Sequence, residues 1–281
     1  MTAVSLSGRE LAAAIRAEVE SRTAELTAAG RVPRLVVVTA TDDKSTAWYV
    51  QSIVKAAARV GIVCDVADLG PDASVGAITT ALEEFSADPQ TSGIILQTPL
   101  PGGAELKDLG SAIAPGKDVD GVNPISLGRL AVGLPAFAPA TAAAVLRLLE
   151  HHEVELRGRH AVIVGRSAVV GKPVAHLLLA ADATVTVCHS RTADLAAITR
   201  QADVLVAAAG RAGLITVEHV HPGAVVIDVG TNVTSDGGLV GDVDPAVAEV
   251  VAALTPVPGG VGPVTTALLL RHTVDALSCV R

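Results

Sequence analysis

A glycine turn between an apolar run and a helix pattern is the most chemically explicit stretch of this chain. His160-Ala-Val-Ile-Val164 leads into Gly165-Arg-Ser-Ala-Val-Val-Gly171-Lys-Pro173, and helical spacing continues to Ala181. Glycines at a tight turn and at a helix start let backbone amides face a phosphate, and the helix amino end adds favourable partial charge. Ser167 stands where the second glycine of GxGxxG would be, so a pyrophosphate would approach less closely or by another route. Gly165, Arg166, Ser167 and Gly171 are the candidate cofactor-binding residues of this turn. A purely structural turn is the competing interpretation; strand, turn, helix and second strand in order favour dinucleotide binding.

The next strand end bears on which dinucleotide. Thr184–Cys188 runs into His189-Ser-Arg-Thr192, with no acid before Asp194. NAD sites usually place Asp or Glu there for the ribose 2′-hydroxyl, whereas a 2′-phosphate wants cations and hydroxyls. Ser190 and Arg191, with Arg166, would form such a pocket, which favours NADP over NAD. Two polar loops, Gln97-Thr-Pro-Leu-Pro-Gly-Gly103 and Lys117-Asp-Val-Asp-Gly121, fall where ligands gather in open α/β sheets. Tyr49 is the only tyrosine; an exposed ring would stack on a flat ligand, and a buried one would fill a core gap. His151-His152 and His219-x-His221 lack further ligands at recognised spacing, so no metal is expected. Without a GxSxG, HExxH or GxxxxGK[ST] motif, serine hydrolase, zinc protease and P-loop chemistry are not expected.

The elements that must position these residues are cut from an unusual composition. Of 281 residues, half are hydrophobic but only 1% are aromatic, and the net charge is −8. The core must be packed from Ala, Val, Leu and Ile. An acidic chain poor in aromatics lacks the basic stripe and stacking platforms of nucleic-acid binders. The longest uncharged stretches, Leu130–Leu146 and Leu254–Leu270, are short for a membrane span and are cut by prolines. MTAVSLSGRE lacks a basic start followed by an apolar run, so no secretory signal is expected. Cys64, Cys188 and Cys279 fit no CxxC pattern and read as buried thiols of a reducing, cytoplasmic compartment.

Periodicity predicts repeated β-α-β units. The expected elements are a helix capped by Ser7 and running to Gly30, strand Leu35–Val38, helix Ser45–Val60, strand Ile62–Ala67, helix Ser74–Ser86 and strand Gly93–Leu96. A second unit opens near Thr141 with a helix to His151, then the glycine-turn segment, helix Asp194–Gln201 and strands Val204–Ala208 and Ala224–Val229. This is an α/β chain with parallel sheets, its second half a mononucleotide-binding pattern.

Taken together these segments resemble the bifunctional methylenetetrahydrofolate dehydrogenase/cyclohydrolase family, in order over essentially the whole chain. The matching stretches are Tyr49-Val with Lys55-Ala56, Gln97-Thr-Pro-Leu-Pro101, Lys117-Asp-Val-Asp-Gly121, Gly128-Arg-Leu130, Val164-Gly-Arg-Ser167 with Val170-Gly-Lys-Pro173, Cys188-His-Ser-Arg-Thr192, Ile227-Asp-Val-Gly230, Gly241-Asp-Val243 and Pro256-Val-Pro-Gly-Gly-Val-Gly-Pro263. The resemblance implies a homodimer in which a Rossmann-like, doubly wound NADP domain (140–257) faces a folate-binding domain (1–139 with 258–281) across a cleft. The C-terminal helix returns to the first domain. It further implies that Tyr49 stacks on the folate, Asp120 holds the pterin's amino group and ring nitrogen, and Gln97 orients the reacting carbon. Pro258, Gly259 and Gly260 would border nicotinamide and folate, and Thr231 would join the cofactor-binding set.

One departure stands out. Four residues after the tyrosine the family carries a lysine, assigned to the cyclohydrolase step, and here that position is Ile53. Isoleucine has no titratable group, so it cannot do acid–base work. Lys55 is no substitute, because at about 100° per residue it lies about 240° round the helix from Tyr49, against about 40° for position 53. Lys44, just before the helix, is the remaining lysine considered for reaching back. Smaller departures are Lys44 for proline, Thr46 for serine, Asn123 for histidine, and Ala140 and Ala142 for Cys and Pro. The resemblance therefore implies an NADP-dependent methylenetetrahydrofolate dehydrogenase with weak or absent cyclohydrolase. The alternatives are a fully bifunctional enzyme, a member redirected to a specialised one-carbon pathway, and a non-catalytic dinucleotide-binding protein.

Overall fold

The computed structural model describes residues 2–234 and 237–279, the side chain of Cys279 excepted. The chain forms two compact units, one of residues 1–12 and 141–265, the other of residues 13–140 and 266–281. It opens with strand β1 (Val4–Ser5) and helix α1 (Arg9–Ala28), where the Ser7 hydroxyl accepts from the Arg9 amide at 3.4 Å. β1 pairs in parallel with strand β11 (Ala253–Leu254), which lies in the same unit.

In the unit of residues 13–140 and 266–281, β2 (Arg34–Thr39), α2 (Lys44–Arg59), β3 (Val63–Asp68), α3 (Val75–Ala87) and β4 (Gly93–Leu96) build a parallel sheet of order β3-β2-β4. Central β2 carries Leu35, Val36, Val37 and Val38 without exposed surface, which is why it reads as an unbroken apolar run. Asp43 caps α2, its carboxylate accepting from the Thr46 amide at 2.7 Å. Two further helices flank the Lys117–Gly121 loop, α4 (Leu106–Leu109) before it and α5 (Pro124–Ala131) after it. Asn123, one of the departures, caps α5 by accepting from the Ile125 amide and donates to the Ile113 carbonyl, both at 2.7 Å.

The other unit follows α6 (Ala140–His151) with β5 (His160–Val164), α7 (Gly171–Ala180), β6 (Thr184–Cys188), α8 (Leu195–Thr199), β7 (Val204–Ala207) and β8 (Val225–Asp228). A small antiparallel pair, β9 (Asn232–Val233) and β10 (Leu239–Val240), precedes β11, and α9 (Val261–Cys279) closes the chain. The parallel sheet has the order β1-β11-β8-β7-β5-β6. Strand order reverses at β5, so the glycine turn after β5 sits at the topological switch point where α/β sheets bind ligands. The core beneath is aliphatic, with Val162, Leu205, Val226, Ile215 and Val247 among its buried members.

No helix among the described residues is long and apolar enough to cross a membrane. Cys188 is buried, but Cys64 is only half-buried on edge strand β3, so its expected burial is incomplete. The side chain of Cys279 lies outside the described atoms.

Candidate functional site

In the three-stranded unit, side chains meet at the carboxyl end of the sheet. Ile94 of β4 bridges Asp118 in parallel, so Gln97 and Asp120 both lie beyond that bridge in the same chain direction. Lys117 fixes the base of the loop, its ammonium donating to the carbonyls of Phe85, Ser86 and Asp88 at the end of α3. Asp118 is fully buried and accepts the amides of Val122 and Asn123, both at 2.9 Å. Asp120 is partly exposed but closely surrounded by protein. Burial first, and the neighbouring Asp118 carboxylate second, push its pKa up to about 7, against one backbone amide from Ala140.

Tyr49 is neither free at the surface nor lost in the core. It is half-buried on α2, bonds through its hydroxyl to Thr266 of α9, and lies close enough to Asp120 to feel its charge. Burial, then Asp120, raise the phenol to about 12, so it stays a neutral hydrogen-bonding ring. Gln97 is half-buried, and its side-chain amide donates to the Thr98 carbonyl at 3.1 Å. The same carbonyl accepts from the Thr46 hydroxyl at 3.2 Å, so α2 is tied to the Gln97 loop by the group that Thr46 retains. Tyr49, Asp120 and Thr266 thus form one cluster; Thr266 escaped sequence reading because a helical threonine carries no signal by itself.

Ile53 belongs to the buried stripe of α2, with Thr46, Val50 and Ala57, and has no exposed surface. Lys55 is exposed on the other side of the helix, as the helical angles require, and Lys44 is exposed at the amino end of α2.

The six-stranded unit assembles the second group of residues. Gly165 has φ +135°, and a Cβ there would sit 2.1 Å from the Ala208 carbonyl oxygen; a Cβ on Gly171 would sit 2.1 Å from the Gly165 oxygen. Only glycine allows so close a turn. Several amides at the start of α7 have partners within the turn. The Ser167 hydroxyl accepts from Val170 at 3.1 Å and Gly171 at 3.4 Å, and the Ser167 carbonyl takes the Lys172 amide. The serine thus holds the start of α7 from within the turn.

Val164 pairs with Cys188, so Arg166 and Ser190, each two residues on, leave neighbouring strands side by side. Arg166, Ser190 and Arg191 are all exposed there, in a turn held by the Thr192 hydroxyl accepting from His189. Asp194, the first acid, is spent capping α8 through the Ala197 amide. Thr231 and Pro258–Gly260 line one hollow of about 120 Å³ with Asp228, Leu239 and Pro263. Two acids that sequence reading left without a role brace its walls. Asp228 accepts the amides of Gly230, Asp242 and Val243, and Asp242 accepts those of Ala209, Gly210 and Arg211 and the Asn232 side chain.

Three of the four paired histidines bond within the fold. His152 meets the Ser7 carbonyl, His221 the Ala202 carbonyl, and His219 its own turn at Thr216.

Comparison with known proteins gives this arrangement its kinship. Residues 6–120 match the family described as tetrahydrofolate dehydrogenase/cyclohydrolase, catalytic domain, and residues 139–280 its NAD(P)-binding domain. Bifunctional protein FolD 1 of Saccharopolyspora erythraea is 66% identical over 274 residues, covering 97% of this chain and 94% of that protein. Bifunctional protein FolD of Nocardia farcinica is 61% identical, covering 98% of each. Among solved structures, the Trypanosoma brucei N5,N10-methylenetetrahydrofolate dehydrogenase-cyclohydrolase complexed with NADP cofactor and inhibitor superposes with a TM-score of 0.93 at 37% identity, covering 99% of this chain and 98% of that one. With both halves matched and relatives this similar over nearly full length, the chain belongs to the tetrahydrofolate dehydrogenase/cyclohydrolase family.

Proposed function

We propose that the protein oxidises 5,10-methylenetetrahydrofolate to 5,10-methenyltetrahydrofolate with NADP, and that its cyclohydrolase step to 10-formyltetrahydrofolate is weak or lost. The observation that carries this proposal is the pairing of an intact Asp120–Tyr49 cluster with a fully buried Ile53 on the same helix as Tyr49.

The residues present fit NADP. Glycines that tolerate no Cβ shape the turn at the switch point, and Arg166, Ser190 and Arg191 offer cations and a hydroxyl where a 2′-phosphate needs them. NADP, when bound, supplies the hydride acceptor; the protein's task is orientation. Asp120 accepts two N–H bonds from the pterin edge, a strong and directional contact. Tyr49 offers a flat, neutral face beside it, and Gln97 borders the reacting carbon. The folate yields a hydride with its electron pair and becomes a methenyl cation. Completing the second reaction requires a water proton to be moved beside that cation, and Ile53 has no group to move it. A homodimer and a cytoplasmic setting belong to the same proposal, supported by the family resemblance and the absence of disulfide-type cysteine spacing.

A pair of assays tests this. Purified protein given NADP and methylenetetrahydrofolate should form the methenyl product, while supplied methenyltetrahydrofolate should decay no faster than in buffer. Ile53→Lys should raise that decay by about 10²–10⁴-fold, the usual worth of general acid–base help. Rapid decay with the unaltered protein would show that another group replaces the lysine. Absence of methenyl formation with either NADP or NAD would favour a redirected or silent family member.

A further inference from the structure

His272 lies on α9 with 7% of its surface exposed, and its Nδ1 is 2.8 Å from the carbonyl oxygen of Val119. A carbonyl only accepts, so Nδ1 carries the hydrogen and donates it. Burial, the largest influence on the ring, pushes its pKa below the usual value, which keeps the imidazole neutral. Val119 is the residue between Asp118 and Asp120. The other side of the loop is held by the same ring: the centroids of Phe137 and His272 are 5.1 Å apart at 38°. Phe137 begins the segment whose Ala140 amide bonds to Asp120. The two backbones are in direct contact at Gly121, where φ is +67° and a Cβ would come within 2.7 Å of Phe137, Ala138 and Pro139 atoms.

We propose that His272 is a positioning residue for Asp120, gripping the Val119 carbonyl with its nitrogen and the Phe137 ring with its face, and so fixing folate affinity without touching the folate. This rests on Asp120 being the pterin-binding carboxylate. Lys117 anchors the start of the loop to the end of α3, and Asp118 ties it to Val122 just past its end. His272 holds its middle, next to the carboxylate. A carboxylate that must meet two N–H groups at once tolerates little displacement.

The test is a double-mutant cycle on the full-length protein, with tetrahydrofolate as the calorimetric probe and NADP binding as a control for folding. His272→Leu and Asp120→Ala should each weaken tetrahydrofolate binding about tenfold or more, and the double variant should bind no more weakly than Asp120→Ala alone. His272→Asn, whose amide still donates to Val119, should stay within about threefold of the parent. NADP affinity should be unchanged throughout. Additive losses, or normal binding by a folded His272→Leu protein beside a defective Asp120→Ala, would overturn the positioning role. Normal binding by Asp120→Ala would overturn the pterin assignment of Asp120 and the role of His272 with it. If His272→Leu does not fold, Phe137→Leu, which removes only the ring contact, takes its place with the same expected non-additivity.

Discussion

Asp118 and Asp120 stand two residues apart on one loop and do opposite work. Asp118 is sealed in and satisfied by the amides of Val122 and Asn123, whereas Asp120 has one backbone donor, from Ala140, and its charged neighbour to contend with. The inner carboxylate builds the loop, and its charge makes the outer one harder to ionise. A carboxyl held in this way has unused acceptor capacity and a free-energy incentive to find donors, which is the state a ligand with two N–H groups would relieve.

The stability of the protein should therefore depend on pH through Asp120. Its folded pKa of about 7 lies above the ordinary aspartate value of 3.8, so the folded chain holds the extra proton between those limits. The stability this proton provides is full below pH about 4, declines as pH rises towards 7, and is gone above it. Asp120→Asn should thus be more stable than the parent at pH 8, by an amount bounded at about 4 kcal/mol, with the gain vanishing near pH 4. Urea unfolding of both proteins across that range is the measurement; an equal difference at both ends would contradict the assignment.

Gly171 should tolerate no side chain. Its φ is not in the left-handed range, so an alanine there meets a steric obstacle alone, the Gly165 oxygen 2.1 Å from its Cβ. Gly171→Ala should cost about 1–3 kcal/mol, as overpacking commonly does, and should lower NADP affinity by distorting the turn after β5. Thermal unfolding together with NADP titration checks both, and a variant with parental values in each would show that the turn yields.

Discrimination between the two dinucleotides should rest on the exposed cations at the ends of β5 and β6. Arg191→Ala should raise the KM for NADP by about ten- to a hundredfold and leave that for NAD within about twofold, since only the former carries the 2′-phosphate. Steady-state kinetics with each dinucleotide decides it. Equal losses would mean that Arg191 supports the turn rather than the phosphate.

Much of the fold follows from local patterning. The aliphatic runs at Leu35–Val38 and His160–Val164 and the caps Ser74 and Asp43 act within a few residues, so strands and helices can be read directly from the chain. β1 and β11 could not be read this way. Each has two residues and exists because a distant partner pairs with it, so neither has a period of its own. Ser167 was visible as a departure from a glycine pattern, but its role as an internal cap depends on where the Val170 and Gly171 amides point.

By itself the sequence determined the residue types: a carboxylate in the Lys117–Gly121 loop, glycines where the chain must turn without a Cβ, and isoleucine at position 53, where the family resemblance leads to the expectation of lysine. Those choices are local, because the chemistry of a side chain travels with its identity. Only the tertiary structure decided that Thr266 meets Tyr49, that His272 holds Val119, and that Val4 and Ser5 join a sheet built from residues far along the chain. Such pairings connect positions up to about 250 residues apart, and their free energy comes from burial and hydrogen bonds that exist only once the chain has closed on itself.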